Sequence, residues 1–552
     1  MALQTLTIRC KNTGRTHTVP VGYNLEQIYE LLEIDMPHGA TSAKVNNKVE
    51  GLHYTLFSNK DIEFLNTSTA TGLRTYTRSL FFVLYKAVHD LYPEARLRIE
   101  ISMSGGFYCR VQGASQVVSA ENLKKRMDEI IQADLPFRRV TVPTEDAITL
   151  FQQFGMSDKI SLLEGRGTLY TRYYTLDGLP DYFYGSLLVK TSQLYLFDLL
   201  PYGDGLLLRL PDSSHPDQLA PMRKQEKMFD VFRENHRLQD ILGISTIGQM
   251  AGAMRKGKTT ELIHISEALH EKKISRLADR IAENKEIRVI LIAGPSSSGK
   301  TTFAKRLSVQ LAVCGLRPVP ISLDDYFVDR VKTPLDESGE YDFEHLHALN
   351  LSLFNTQMQT LLSGGEVELP RYNFHTGRSE NSGRKLSLQK NDLLILEGIH
   401  ALNPELTSQI PESCKFKIYA SALTSIMLDD HNYIPTTDNR LLRRIVRDFK
   451  YRGYSALDTI RRWPSVREGE DKWIFPFQEE ADEMVNTALL FELAALRIEA
   501  LPILEAVPEH EPEYSEAYRL RKFLSYMPPI DTNGLPPTSL LREFLGGRSF
   551  KY

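Results

Sequence analysis

Cysteine is scarce in this chain. Cys10, Cys109, Cys314 and Cys414 are far apart in 552 residues and no CxxC occurs, which excludes a disulfide framework or a zinc ribbon and fits a reducing cytosol. No excess of positive charge exists either: 66 basic against 70 acidic residues give a net charge of −4. Bulk binding to nucleic acid is therefore not expected, although a local basic patch is compatible with that balance. Apolar runs approaching the ~18 residues of a membrane span are missing. The first residues, MALQTLTIRCKNTGRTHTV, alternate apolar and polar side chains where a signal peptide would have an apolar core. A cytoplasmic location with no membrane contact is expected. At this length, two to four domains are expected.

What is present organises into five stretches. Residues 1–66 read as a small β-rich unit, with strands at LTIRC and HTVPV, a helix at NLEQIYELL and strands again at AKVNNKVEG and DIEFLN. Residues 67–240 are mixed α/β. Residues 241–285 carry apolar residues at helical spacing (Leu262, Ile265, Leu269, Ile274, Leu277, Ile281) and form a helical linker. Residues 286–505 alternate strand and helix, as a doubly wound, mostly parallel α/β sheet does. Residues 506–552 form a Pro-rich C-terminal tail with short helices.

The fourth stretch holds the most specific motif. Gly294-Pro295-Ser296-Ser297-Ser298-Gly299-Lys300-Thr301 fits G-x-x-x-x-G-K-[ST], between an apolar strand and a helix opening at Thr301-Thr302. Main-chain amides at a helix N-terminus favour a phosphate chain. Lys300 is then expected between the β- and γ-phosphates, and the Thr301 hydroxyl on Mg²⁺. ATP and Mg²⁺ are the expected cofactors.

Downstream residues narrow the chemistry. In SLDDYFVDR an acid, Asp324, ends a strand beside Tyr326 and Phe327; there it can take the proton of a hydroxyl that attacks the γ-phosphate. The apolar strand LLILEG delivers Glu397 toward the metal. In NRLLRRIVRDFKYRG, at ~100° per residue, Arg440, Arg443, Arg444 and Arg447 share one edge of a helix. Leu442, Ile445, Val446 and Phe449 lie opposite. Such an edge suits charge stabilisation during phosphoryl transfer, as a lid closing over ATP.

Over roughly 287–480 the chain resembles the uridine kinase and phosphoribulokinase family, on GPSSSGKT, LDDYF, YDFEHLHALN, PRYNFHTGR, LEGIHAL and the arginine segment. The resemblance implies Asp324 as catalytic base, Glu344 at the ribose and Tyr372 and Phe374 at the nucleobase. It places His375 and Arg378 in the same loop, and Arg444, Arg447 and Arg452 on phosphates. There are departures: Glu344 replaces an Asp, Tyr454 replaces a further arginine, and the YNFHTGR loop is one residue shorter than in uridine kinases. PRYN and EGIHAL lean toward phosphoribulokinases.

Residues 1–66 resemble a TGS domain, a β-grasp module, and residues 67–240 resemble the α+β editing domain of threonyl- and alanyl-tRNA synthetases. The first helix of that second region reads Ser79-Leu80-Phe81-Phe82-Val83 and lacks the metal-binding histidine pair, and His89 has no partner at i+4. A scaffold or binding surface is expected there instead of metal-dependent hydrolysis. Two readings stand. The first is an ATP-dependent kinase of a small alcohol, most simply the 5′-hydroxyl of uridine or cytidine, with a phosphoribulokinase-like acceptor as variant and the N-terminal half regulatory or homo-oligomer-forming. The second is an ATPase linked to tRNA or the ribosome, with RNA contact through the N-terminal half.

Overall fold

Alternation in the first 65 residues becomes strands β1 (Thr5–Cys10) and β2 (Arg15–Pro20), with Leu6, Ile8 and Cys10 turned inward. This is a computed structural model, and it describes residues 4–337 and 339–551. Helix α1 (Leu25–Leu31) starts at Asn24, whose side chain accepts from the Gln27 amide. The AKVNNKVEG stretch is a hairpin, β3 (Ser42–Val45) and β4 (Lys48–Glu50), turned at Asn46 and Asn47, which both take positive φ (47° and 58°) as a tight hairpin turn requires. Strand β5 (Lys60–Leu65) completes a five-stranded sheet in the order β2-β1-β5-β3-β4.

Helix α2 (Ala70–Leu91) follows, with Leu80 to Leu84 all buried. Next come β6 (Arg96–Met103), β7 (Gly106–Gln112), α3 (Ala120–Gln132), β8 (Arg138–Pro143), α4 (Thr144–Gln153), α5 (Ser157–Arg166), β9 (Tyr170–Leu176), β10 (Leu179–Asp181), β11 (Asp198–Tyr202) and β12 (Gly205–Arg209). They form one antiparallel sheet, β11-β12-β7-β6, and a smaller one, β10-β9-β8. Three helices lead onward: α6 (Glu226–Leu242), α7 (Ile247–Arg255) and α8 (Thr259–Glu283). Helix thus begins at Glu226, earlier than the spacing after residue 241 indicated.

The doubly wound region contains β13 (Val289–Ala293), α9 (Lys300–Val313), β14 (Arg317–Ser322), α10 (Leu351–Leu362), β15 (Glu366–Asn373), β16 (Arg378–Ser387), β17 (Asp392–Glu397), β18 (Lys415–Ser421), α11 (Thr436–Tyr451), α12 (Ala456–Trp473), β19 (Glu483–Asn486) and α13 (Glu492–Glu505). Its sheet runs β14-β17-β13-β18-β19, every pair parallel. This is α/β architecture with a parallel sheet whose central strands are almost wholly apolar, as burial on both faces demands. Of YNFHTGR, read as a loop, Tyr372 and Asn373 end β15 and Arg378 opens β16, so only residues 374–377 turn this antiparallel hairpin. The chain closes with α14 (Tyr514–Leu524) and α15 (Arg542–Leu545), which pack back on this region. Among the described residues, no helix is long and apolar enough to cross a membrane.

Candidate active site

Sheet register decides where the site forms. Ile292, next to the end of β13, pairs with Glu397 at the end of β17, and Glu397 pairs with Ser322 at the end of β14. The carboxyl ends of three neighbouring strands therefore open onto one crevice, the position where parallel α/β sheets bind ligands.

The loop after β13 is built for close backbone approach. A Cβ on Gly294 would stand 2.0 Å from the Ala420 carbonyl oxygen, so only glycine fits. Ser297 and Gly299 take positive φ (59° and 81°), which curls the loop so that its amides turn to one side. The amides of Ser297, Gly299, Lys300 and Thr301 find no protein acceptor among the described residues, and the buried Ser297 and Ser298 hydroxyls are likewise unpartnered. Lys300 Nζ donates to the Pro295 carbonyl (3.1 Å). Burial lowers its pKa, against the pull of Glu397, Asp324, Glu543 and Glu344. Thr302, expected among the nucleotide contacts, points its hydroxyl at Glu543 instead (2.6 Å).

Thr301 Oγ1 donates to Glu397 Oε1 (3.1 Å). Burial pushes the Glu397 carboxyl up to about 7; Lys300 works against that shift and Asp324 with it. Asp324 is half-buried in a single turn after β14, its amide on Ser322 Oγ (3.4 Å). Tyr326, expected at the acceptor, is a core residue: it is 1% exposed, donates to Gln357 (2.7 Å) and packs edge-on against Phe354. Its neighbour Phe327 is also largely buried (8% exposed), 5.4 Å from the Tyr372 ring, and the exposed Phe374 closes the group 5.0 Å from Tyr372. His375 and Arg378 are exposed at the β15–β16 turn.

Glu344 joins the two halves. Burial pushes its carboxyl to about 7, with Arg444 and Lys300 opposing and Glu470 and Asp324 reinforcing that shift. Its Oε2 has no hydrogen-bond partner, nor has the buried Tyr372 hydroxyl. Gly469 of α12 packs directly on it, since a Cβ there would lie 2.3 Å from Glu344 Cβ.

The arginine helix α11 differs from the expected cationic edge. Arg440 and Arg443 are fully buried, not presented to phosphate. Arg440 pairs with Glu470 and donates to the Ser296 carbonyl (3.0 Å); Arg443 pairs with Glu492 (2.6 Å) and lies 3.4 Å from the Ser297 carbonyl. Both hold the phosphate-binding loop in shape. Phe449, assigned to the apolar face, is 52% exposed. Arg444 and Arg447 do line the crevice side: Arg444 donates to Ser296 Oγ (2.9 Å), and Arg447 clasps Asp448 (2.7 Å). Arg452 lies 3.6 Å from Asp448 and over the Phe374 ring (5.9 Å). Arg447 is the main cause that lowers the Arg452 pKa, and burial, then Arg447, lowers that of Arg444. One carboxylate among three guanidiniums leaves positive charge that an anion would neutralise.

Sequence reading passed over Glu470, Glu492 and Glu543. Glu470 also accepts from the Ser296 amide (3.2 Å) and from Arg467 (2.8 Å). No local motif marks these acids, because their partners are distant in sequence: Glu470 and Glu543 reach the loop and its following turn 174 and 241 residues back, and Glu492 reaches Arg443 49 residues back.

Comparison with known proteins places this region. The model of the "Phosphoribulokinase / Uridine kinase family" matches residues 289–489. A uridine kinase of Halobacterium salinarum is 30% identical over 196 residues, 35% of this chain and 77% of that protein. A uridine kinase of Staphylococcus aureus is 30% identical over 205 residues, 36% of this chain and 88% of that protein. A solved structure described as a possible uridine kinase from Bacillus stearothermophilus aligns at 20% identity over 36% of this chain and 89% of that one, with a TM-score of 0.25.

Proposed function

Because residues 289–489 make this chain a member of the phosphoribulokinase / uridine kinase family, and hence an ATP-dependent phosphotransferase with an alcohol acceptor, we propose that its acceptor is a nucleoside. The reaction would carry the γ-phosphoryl group of ATP to the 5′-hydroxyl of uridine or cytidine. The observation that carries this reading is the pair of unpartnered polar atoms, Glu344 Oε2, which senses Lys300 and Asp324, and Tyr372 Oη, whose ring packs on those of Phe327 and Phe374. Buried polar atoms without partners are costly, and a ligand with hydroxyls and a flat ring satisfies both at once. Both names among the 30%-identical relatives support the same acceptor.

In this reading the amides from Ser297 to Thr301 cradle the phosphates and Lys300 bridges toward the γ-phosphate. Asp324 takes the proton as the acceptor oxygen bonds to the γ-phosphorus and the bond to the β-phosphate breaks. Arg444, Arg447 and Arg452 neutralise the charge that develops on the equatorial oxygens. The donor set Thr301, Glu397 and Asp324 is all oxygen, and Glu397, driven up to about 7 by burial, is a carboxyl that a nearby cation would return to its ionised form. Thr301 and Glu397 would thus hold Mg²⁺, which screens the phosphate charge when bound.

The five-stranded sheet with α1 supports reading residues 1–66 as a TGS-like β-grasp domain, and the two antiparallel sheets around α2 support an editing-like α+β domain over 67–240. The test is ADP release with nucleosides, sugar phosphates and tRNA offered separately. Strong dependence on uridine or cytidine is expected. Turnover that ignores every nucleoside and rises with tRNA would overturn the proposal.

A further inference from the structure

A second crevice lies away from the phosphate loop, where β4, α2, β9 and α14 meet. Its cavity of about 340 Å³ shares no residue with the site described above. Its wall is strongly one-sided in charge: eight Lys and Arg side chains face a single carboxylate, Glu50. The whole chain is slightly acidic, so this is local concentration and not composition. Some of the cations are paired. Arg74 meets Glu516 (3.3 Å), Arg519 binds Asp438 through two bonds (2.6 and 2.7 Å), and Lys48 meets Glu50 (3.1 Å). Five others, Arg78, Arg139, Arg166, Arg172 and Lys522, have no carboxylate partner among the described residues. Arg78 donates only to the Ser186 carbonyl (3.1 Å) and the Thr75 hydroxyl (3.4 Å), and Arg166 to the Tyr182 hydroxyl (3.3 Å). Lys522 donates to the Tyr184 carbonyl. Burial, then Arg166, Arg78 and Arg172, push the Lys522 pKa down to about 8, and Glu50 offsets this only in part.

The same wall is rich in tyrosine. Tyr182 and Tyr526 close the floor, joined hydroxyl to hydroxyl (2.6 Å). Tyr170, Tyr184 and Tyr518 line the sides, and Tyr170 is 65% exposed with its ring free to stack. Guanidinium forks match phosphate oxygens, and tyrosine faces match a planar base. A volume of about 340 Å³ on a closed floor holds one small molecule and not a polymer.

We propose that this cavity is a second, non-catalytic site for a nucleoside phosphate, with the phosphates on Arg78, Arg139, Arg166, Arg172 and Lys522 and the base against the tyrosines. It does not depend on which alcohol the kinase site accepts. Arg519 gives the site a physical link to that centre, since Asp438 lies in the first turn of α11, the helix that carries Arg444 and Arg447.

The test counts bound nucleotides on the full-length protein by equilibrium dialysis, with UMP, UDP, AMP, ADP, inorganic pyrophosphate and a short single-stranded oligoribonucleotide as probes. Two nucleotides per chain are expected for the wild type. Arg139→Glu combined with Arg172→Glu changes exposed side chains without partners, so the fold survives; this variant should keep the phosphate-loop nucleotide and lose the other by at least about tenfold in affinity. Lys300→Ala should weaken only the phosphate-loop nucleotide. If the kinase reading fails, the nucleotide sensitive to Arg139 and Arg172 still remains, so the two failures are distinguishable. A wild-type chain with no bound nucleotide that the double change weakens would sink the proposal, whatever the total bound. So would pyrophosphate binding as tightly as the nucleotides, or an oligoribonucleotide binding where mononucleotides do not.

Discussion

Glu543 accepts two hydrogen bonds from Thr302, one from the hydroxyl at 2.6 Å and one from the amide at 3.3 Å, and so fastens the last helix of the chain to the first turn after the phosphate-binding loop. Leu540 fills the space beside Gly299, where a Cβ would come within 2.5 Å of it, and Phe544 lies under the Arg443 guanidinium (5.0 Å). The tail thus walls the proposed nucleotide crevice. Glu543→Ala should remove the carboxylate that accepts from the Thr302 hydroxyl and amide, costing about 1–3 kcal/mol. It should also raise the KM for ATP several-fold, since Lys300 and Thr301 are on the same turn. Glu543→Gln keeps an acceptor and should recover most of both effects. Thermal unfolding and ATP titration read them together; an alanine variant equal to wild type in both would refute the role.

Asp324 is the only carboxylate of its turn on the side of Lys300 and Glu397, as its influence on both groups shows, while Asp325 faces the backbone of Tyr372. Asp324→Asn preserves shape and removes the proposed proton acceptor. Turnover should fall by roughly 10²–10⁴ while ATP still binds. Single-turnover kinetics with a separate ATP-binding measurement distinguish this from a binding defect, and near-normal rates would eliminate Asp324 as the base.

The strand, loop and helix around Gly294–Thr301 were legible because the motif is local and its neighbours have the right periodicity. Glu397 was legible for the same reason, at the end of four apolar residues. Strand β19 was not, since four residues carry little pattern. Nor was the hairpin β15–β16, because β16 stands in solvent and has almost no buried side chain to alternate. Tyr326 and Phe327 look equivalent in sequence and both are buried in one core; what separates them, the Gln357 hydrogen bond of the first and the Tyr372 ring beside the second, comes from distant elements. The arginine helix shows the limit most clearly. Its periodicity gives the shared edge, but the carboxylates that bury half of it, Glu470 and Glu492, come from later helices.

Those carboxylates divide the arginines into two kinds with opposite experimental signatures. Arg443→Met strips a buried pair, leaving Glu492 uncompensated, and should cost about 3–5 kcal/mol of stability. Arg447→Ala touches only Asp448 and the crevice. It should leave the unfolding midpoint nearly unchanged and lower kcat by roughly 10²–10³, because its charge matters when the phosphoryl group is in transit. Melting curves beside kcat measurements decide the matter. If both variants lost stability alike, the separation into loop-holding and phosphate-facing arginines would be wrong.

Glu344 makes a prediction about pH. Its carboxyl is pushed up to about 7 by burial first, so the folded protein holds a proton there that the unfolded chain, near 4.5, releases. The folded state therefore binds more protons than the unfolded state between those values, and its stability contribution is complete below about 4.5 and declines as pH rises through 7. Glu344→Gln mimics the protonated form at every pH. Without nucleotide, the variant should match wild type near pH 5 and exceed it by about 1–3 kcal/mol near pH 8, where the wild type carries a half-buried charge with an unpartnered oxygen. Thermal unfolding of both proteins across pH 5 to 8 checks this. A constant offset at all pH values would mean that Glu344 is ionised throughout, held by Arg444 and Lys300, and that its free oxygen is not poised as a neutral partner for a ligand hydroxyl.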